Sequence, residues 1–471
     1  MEIKPNNTGL SRKLGLFTAM MVVICSMIGS GVFKKIAPMA GELYSSELII
    51  LCWLLAGIIT LLGAISYSGL SRINSEAGGE YQYLKLIFGK PFSFIYGWTA
   101  FVVIQSASVA SIAYVFGQSV NNIIHLPDFS QGISNINLFG YIFPFDNAGV
   151  KIITILSILL ITMINYFGVQ YGGWTVNFFT IAKLIGILFL LGICFGSGIG
   201  SNSNFTQHSQ HYKIISDMNF WNVTSIVFAA MLSAFWAFDG WVNITFLAGE
   251  VKNPKHDLPI SIIGGVLIVT VFYMIVNYAY LYIMPVDSYV AMAGNKNSIA
   301  AAEVVKTVIG TAGFIIISIL ILISTFGTTN SSVMSSSRIY YAMAKEGLFF
   351  HSAAITHPKY KTPHIALMIQ CFWSCILVIS GTFDQLTDML IFAAFIFYGS
   401  GALGLFVLKN KMNYKEKIFG YPIVPALFII FCIVLVISSF IERPAESLVG
   451  IALIFTGIPF YFYWQHKRKF N

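Results

Sequence analysis

Two short stretches place polar or helix-breaking residues inside apolar surroundings, where they could do chemistry. In the first, Gly29-Ser30-Gly31 interrupts MMVVICSMIGSGVFKK, and in the second Asp239-Gly240 interrupts SAFWAFDGWVNITFLAGEVKNPKHDLP, which begins at Ser233. An acidic residue near the centre of a bilayer costs roughly 2.5–3.5 kcal/mol on insertion scales. Gly240 weakens the helix at the same spot, and two glycines with a serine also make a poor helix. Broken backbone at that depth exposes groups that can hold a polar solute. The N–H groups opening a resumed half-helix, at its positive end, suit a carboxylate. Small residues also serve close helix packing, and neither break alone decides between the two uses. Their pairing does. The spans that carry them are the first and the sixth, five apart, so they enter from opposite sides, as in an inverted repeat with its site at the centre.

Lys183 is the third candidate. Tyr171-Gly172-Gly173 reads as the turn between the fourth and fifth spans, which puts Lys183 about ten residues, roughly 15 Å, up the fifth helix. That is too deep for its head to reach water easily, so the cation needs a partner inside the bundle. Two readings stay open: a structural lysine held by carbonyls, or a fixed positive charge doing what a bound sodium ion does elsewhere. The eighth span ends STFGTTNSSVMSSSRIYYAMAKEG from Ser324. Its hydroxyls can bond within the helix or offer oxygens to a neighbouring cation. Tyr398 in the tenth span reads as packing or as an aromatic gate. His208 and His211 lie in a Ser- and Asn-rich loop and read as solvated. The six cysteines (Cys25, Cys52, Cys194, Cys371, Cys375, Cys432) fall in apolar runs without metal-ligand spacing and read as small buried hydrophobes.

The elements that must position these residues are membrane helices. With 471 residues, 57% hydrophobic and only 10% charged, and a mean hydropathy of +0.78, the composition excludes a soluble enzyme. Twelve apolar runs are expected at about 15–35, 47–70, 92–120, 150–168, 176–196, 223–249, 259–284, 311–340, 365–381, 386–408, 422–440 and 447–465. The first is too long for a signal-peptide core and reads as a retained span. Pro254 and Pro259 are expected to stop the sixth helix and restart the seventh. Residues 71–92, SRINSEAGGEYQYLKLIFGKPF, read either as a short interfacial or re-entrant helix that could form part of an inner gate, or as a solvated loop. The net charge of +8 is a topology signal rather than a nucleic-acid one. With the N-terminus inside, nineteen of the 27 Lys and Arg fall on inner segments and seven on outer ones, with Lys183 in neither class, so both termini are expected in the cytoplasm.

Six motifs in order carry a resemblance that runs nearly end to end. They are MIGSGVF at 27–33, SEAGGEYQYL at 75–84, NYFGVQYGGWTVNFFTIAKL at 165–184, FWAFDGWVNITFLAGEVKNPKHDLP at 235–259, FGTTNSSVMSSSRIYYAMAKEG at 326–347 and KTP at 361–363. The chain resembles the amino acid–polyamine–organocation superfamily, and within it the L-type amino acid transporters and their bacterial relatives. The resemblance implies an all-α membrane protein of twelve transmembrane helices: a five-plus-five inverted repeat with helices one and six broken, and two added helices. Repeat one would cover about 15–196, repeat two about 223–408 and the added helices about 422–465, all in one domain spanning 1–471. It further implies that the amides of Ser30 and Gly31, with Gly29, hold a substrate carboxylate. By the same analogy the carbonyls of Met27, Trp236 and Asp239 receive the α-amino group, with Gly240 beside them and Trp236 as a lid. Lys183 matches the lysine that occupies the second sodium site in sodium-independent members. Animal members carry a cysteine in the loop after span three that links to a glycoprotein partner. Segment 121–149 has none, so no such covalent partner is expected.

The resulting expectation is a sodium-independent secondary transporter in the plasma membrane, exchanging neutral or basic amino acids by alternating access. It needs no cofactor and no metal, and its partners are the amino acid and the lipid bilayer. A proton-coupled symporter in which Lys183 or Asp239 titrates is the rival within the class. A transporter-like sensor and a multi-span enzyme are rivals outside it, and the spans gather no catalytic cluster that would suit the enzyme.

Overall fold

The computed structural model describes residues 10–134, 136, 142–206, 208–295, 298–380, 383–412 and 418–470. The protein is an all-α membrane protein of twelve spans. They are α1 (Leu16–Lys34), α2 (Ser46–Ile73), α3 (Lys90–Ile123), α4 (Ala148–Tyr166), α5 (Val169–Gly196), α6 (opening as Phe220–Phe238), α7 (Pro254–Ile283), α8 (Ala300–Lys345), α9 (His364–Ser380), α10 (Phe383–Met412), α11 (Ile423–Glu442) and α12 (Pro444–Phe470). Eleven are long and apolar enough to cross a bilayer, and α9 is an apolar helix of 17 residues. Isolated bridges join Leu14 with Val251 and Ser45 with His208. A membrane leaves few other solutions, because unsatisfied backbone polar groups in hydrocarbon cost several kcal/mol each.

Burial separates an inner bundle from a lipid-facing rim. α3 is nearly all interior, whereas α12 lies mostly outside. Leu156, Leu159 and Met163 on α4, and Phe178, Ile185 and Leu188 on α5, point outward. Inside, Trp53 of α2 packs edge-on against Tyr273 of α7 at 5.4 Å, and Phe238 of α6 meets the same ring at 4.9 Å. Such pairs add roughly 0.5–1.5 kcal/mol beyond burial.

Three boundaries differ from the sequence reading, each for a physical reason, and one reading left open is resolved. The turn between α4 and α5 is at Gly168, whose φ of +132° favours glycine, and not at 171–173. Gly172 lies inside α5, where a Cβ would come 2.8 Å from Met334 Sδ of α8, so it is a close-packing glycine. α5 therefore begins at Val169, which puts Lys183 roughly 21 Å along it. α7 starts at Pro254, where the missing N–H costs nothing, and Pro259 lies inside it. α8 carries a non-helical pair at Ile309 and Gly310, so its membrane part begins near residue 311, as expected, with a helical preamble. Finally, residues 80–88 form a short helix (Glu80–Phe88) packed into the protein, and the solvated-loop reading fails: Glu80, Tyr81, Tyr83 and Leu84 are buried. Of the cations counted for topology, Lys4, Lys296, Lys415 and Lys417 lie outside the described residues.

Candidate functional site

Both expected breaks are present, and they face each other. α1 is helical over Leu16–Met27 and resumes over Gly31–Lys34. Between them the Gly29 N–H turns back to the Met27 carbonyl at 2.8 Å. Among the described residues the Ser30 and Gly31 N–H groups reach no protein acceptor. α6 leaves helical geometry at Asp239 (φ −63°, ψ 158°) and resumes over Asn243–Phe246. Gly240 turns the chain with φ +93°. A Cβ on Gly31 would come 2.5 Å from Ala237 Cα, and one on Gly240 would come 2.9 Å from Ser26. The crossing distance of the two breaks thus dictates glycine at both positions.

Tyr273 stitches the breaks together, its hydroxyl lying 2.7 Å from the Met27 carbonyl and 2.8 Å from that of Ala237. The Met27 oxygen therefore already has two donors, Tyr273 and Gly29. The Trp236 carbonyl receives the Asp239 N–H at 3.3 Å.

A narrow cavity sits where the breaks meet, with a volume of ≈ 10 Å³ open to a water-sized sphere. That is room for about one water, so an amino acid enters only if the two breaks or their neighbours move apart. Met27, Gly29, Ser30, Gly31, Trp236, Asp239 and Gly240 all line it, joined by Ser26, Ser108, Ile112, Asn243, Thr328 and Ser332. The Ser30 hydroxyl and the Asn243 Oδ1 are buried without a partner among the described residues. Uncompensated polar atoms are costly in a dry interior, and these belong to residues that line the cavity.

Lys183 lies beside the cavity rather than in its wall. Its fully buried ammonium donates to the carbonyls of Cys25 (3.1 Å) and Ile28 (2.6 Å) and to Thr328 Oγ1 (2.8 Å), which uses all three of its donors. Thr328 in turn reaches the same two carbonyls at 2.9 and 2.8 Å, and bonds Ser324 of its own helix at 3.0 Å. Among the described residues no carboxylate lies within ion-pair distance of Lys183. The break in α1 thus serves both signs of charge: carbonyls at the end of its first half hold a cation, and amides at the start of its second half remain open to an anion.

Polar ties close both approaches. On the face that carries Leu14, the fully buried Arg338 and Glu250 pair at 2.8 Å, and Lys85 pairs with Glu346. On the opposite face Arg443 ties Glu42 and, at 3.2 Å, Asp388, while Lys35 donates to Thr387 at 3.0 Å.

Sequence reasoning undervalued two tyrosines. Tyr398 donates to Asp239 Oδ1 at 2.8 Å and so orients the acidic wall of the cavity. The sequence offered only its place in the tenth span. Tyr273 gave no local signal, since an aromatic in an apolar run reads as packing. Of the hydroxyls of α8, Thr325, Thr329 and Ser336 bond within the helix, whereas Thr328 and Ser331 also reach α1. His208 stacks on Tyr212 at 3.9 Å.

Two interrupted helices of opposite entry, closing a small polar cavity at mid-span, define a membrane transporter of the broken-helix kind. The amino acid permease family matches residues 14–463, and the chain belongs to that family. Over 98% of its length it is 32% identical to the serine/threonine exchanger SteT of Bacillus subtilis (strain 168), covering 99% of that protein. It is 27% identical to b(0,+)-type amino acid transporter 1 of Rattus norvegicus, covering 99% of this chain and 90% of the relative. With large neutral amino acids transporter small subunit 2 of Mus musculus it shares 29%, over 98% of this chain and 83% of the relative. The protein is a transporter and not an enzyme.

Proposed function

We propose that this protein exchanges small neutral amino acids, serine and threonine first, across the plasma membrane by alternating access and without sodium. One observation carries the reading: a small polar cavity bounded by open amides of α1, with Lys183 already occupying the cation position between α1 and α8. In this reading the Ser30 and Gly31 amides take the substrate carboxylate. The α-amino group goes to the carbonyls of Trp236 and Asp239, and reaches that of Met27 only by displacing Tyr273. Trp236 is the lid. Charge-assisted hydrogen bonds at both ends of the zwitterion supply the binding energy. The hydroxyl-rich lining and the narrow void favour a short polar side chain, in keeping with the name of the Bacillus relative. A basic substrate would have to compete with Tyr398 for Asp239.

The same reading takes residues about 15–196 and about 223–408 as the two repeats and about 422–465 as the added helices. It places the face of Leu14 in the cytoplasm, where the lysine and arginine excess lies. It includes no disulfide-linked glycoprotein subunit, because segment 121–149 has no cysteine. Proteoliposomes loaded with unlabelled serine should accumulate labelled serine in sodium-free buffer, whereas unloaded ones should not. Equal uptake by unloaded vesicles under an inward proton gradient would replace exchange by proton symport. Binding without accumulation in either case would make the protein a sensor.

A further inference from the structure

The transport reading leaves one buried acid unused. Glu80 opens the short helix Glu80–Phe88 and is 1% exposed, yet among the described residues no cation lies within ion-pair distance of it. Among the described residues the titratable groups that face it are phenols and another acid. From α2 the Tyr67 hydroxyl donates to Glu80 Oε1 at 2.5 Å. That hydroxyl also lies 3.4 Å from the carbonyls of Phe397 and Tyr398 on α10. From α3 the Tyr96 hydroxyl faces the same carboxyl, and from α6 Asp239 sets a like charge near it. Tyr83 of its own helix and Tyr398 of α10 complete the neighbourhood. From α8, Tyr340 comes near only through Tyr96, and Arg338 is committed to Glu250.

The position of this acid matters as much as its company. The two residues before it, Gly78 and Gly79, form a wedge between the resumed half of α6 and α8. Gly78 N–H bonds the Phe246 carbonyl at 3.0 Å. A Cβ on Gly78 would come 2.8 Å from Ala342 Cβ, and one on Gly79 2.3 Å from Thr245 Oγ1. Any opening that parts α6 from α8 on this face must move the wedge and let water reach the next residue.

We propose that Glu80 is a proton-binding latch: its carboxyl takes a proton from water as this gate closes and returns it to the same compartment when the gate opens. The proposal rests on the transporter reading only in calling this face a gate. Because uptake and release occur on one side, exchange moves no net proton across the membrane.

Burial pushes the closed-state carboxyl up to about 8, against an ordinary 4.5, and the nearby Asp239 adds to the rise. The helix start favours the anion but acts weakly beside complete burial. The sign follows directly. Below about 4.5 both states are protonated, and above about 8 neither is. Between those limits the closed gate holds the proton more tightly, so rising pH favours opening, by up to ~10-fold per unit. Glu42, on the opposite face beside Arg443 and Asp388, is pushed up to about 7 by burial and would titrate from the other compartment.

The test uses Thr245→Cys, fully buried against Gly79 while the gate is closed. Its labelling by an impermeant maleimide added on this face is measured between pH 5 and pH 9, with Glu80 intact and with Glu80→Gln. The ratio of the two rates cancels the thiol's own pH dependence. The ratio should rise at least ~10-fold between pH 5 and 8 and then level off. Tyr67→Phe, which removes a donor that favours the carboxylate, should carry the rise to higher pH. A flat ratio, with or without a displaced midpoint in Tyr67→Phe, would overturn the latch. If Glu80→Gln does not fold, an unmoved labelling profile in Tyr67→Phe would overturn it instead. Labelling needs no substrate, so failure of serine counterflow in the same vesicles would strike the transport reading alone.

Discussion

Lys183 shows how one side chain can be both structural and functional. Three oxygens from α1 and α8 receive its ammonium, and they hold in place the break whose amides stay open. Removing the cation would leave the Cys25 and Ile28 carbonyls to share the single Thr328 hydroxyl proton, with Ser324 Oγ as a second donor to Ile28 alone, and would open a void between α1 and α8. Lys183→Ala should reduce serine counterflow to a few per cent or less at unchanged membrane expression, and near-normal counterflow would reduce the lysine to scaffolding. Tyr398→Phe tests a subtler role. Loss of a hydrogen bond to a charged group costs about 1.5–3 kcal/mol, which in this cavity should appear as a roughly ten- to hundredfold rise in KM for serine. An unchanged KM would show that Asp239 needs no help from Tyr398.

The breaks themselves were legible in the sequence because they rest on residue type at known depth: Gly-Ser-Gly in one apolar run, Asp-Gly in another. The turn before α5 was misplaced for an instructive reason. Gly172 and Gly173 look like a turn, but Gly172 serves contact with Met334 while Gly168 alone takes the left-handed backbone. Local composition does not separate a glycine needed for φ from one needed for closeness. Substitution does separate them. Gly31→Ala would drive a methyl to 2.5 Å from the backbone of Ala237, whereas Gly15→Ala meets nothing within 4 Å. Exchange should be lost in the first and retained in the second, and equal activity in the two would mean that α1 and α6 do not cross as described.

At the scale of the whole molecule, what the sequence did not reveal is pairing across long separations. Arg338 and Glu250 are 88 residues apart, and Glu42 and Arg443 are 401 apart. Nothing local in either stretch identifies the partner. Breaking a buried pair from one side costs about 3–5 kcal/mol, because it strands a charge, while replacing both members with apolar residues can be neutral. Arg338→Met alone should therefore lower the thermal denaturation midpoint in detergent clearly, and Arg338→Met with Glu250→Leu should recover most of it. No recovery in the double variant would show that the pair is not an isolated tie.

The central claim is that main-chain atoms at the two breaks grip the zwitterion whatever side chain it carries. Competition against labelled serine counterflow by serine, serine methyl ester and N-acetylserine tests this most directly. Only serine should compete, because each edited analogue loses one charged end and its hydrogen bonds. Competition by the ester or the acetyl derivative at concentrations close to that of serine would contradict the account.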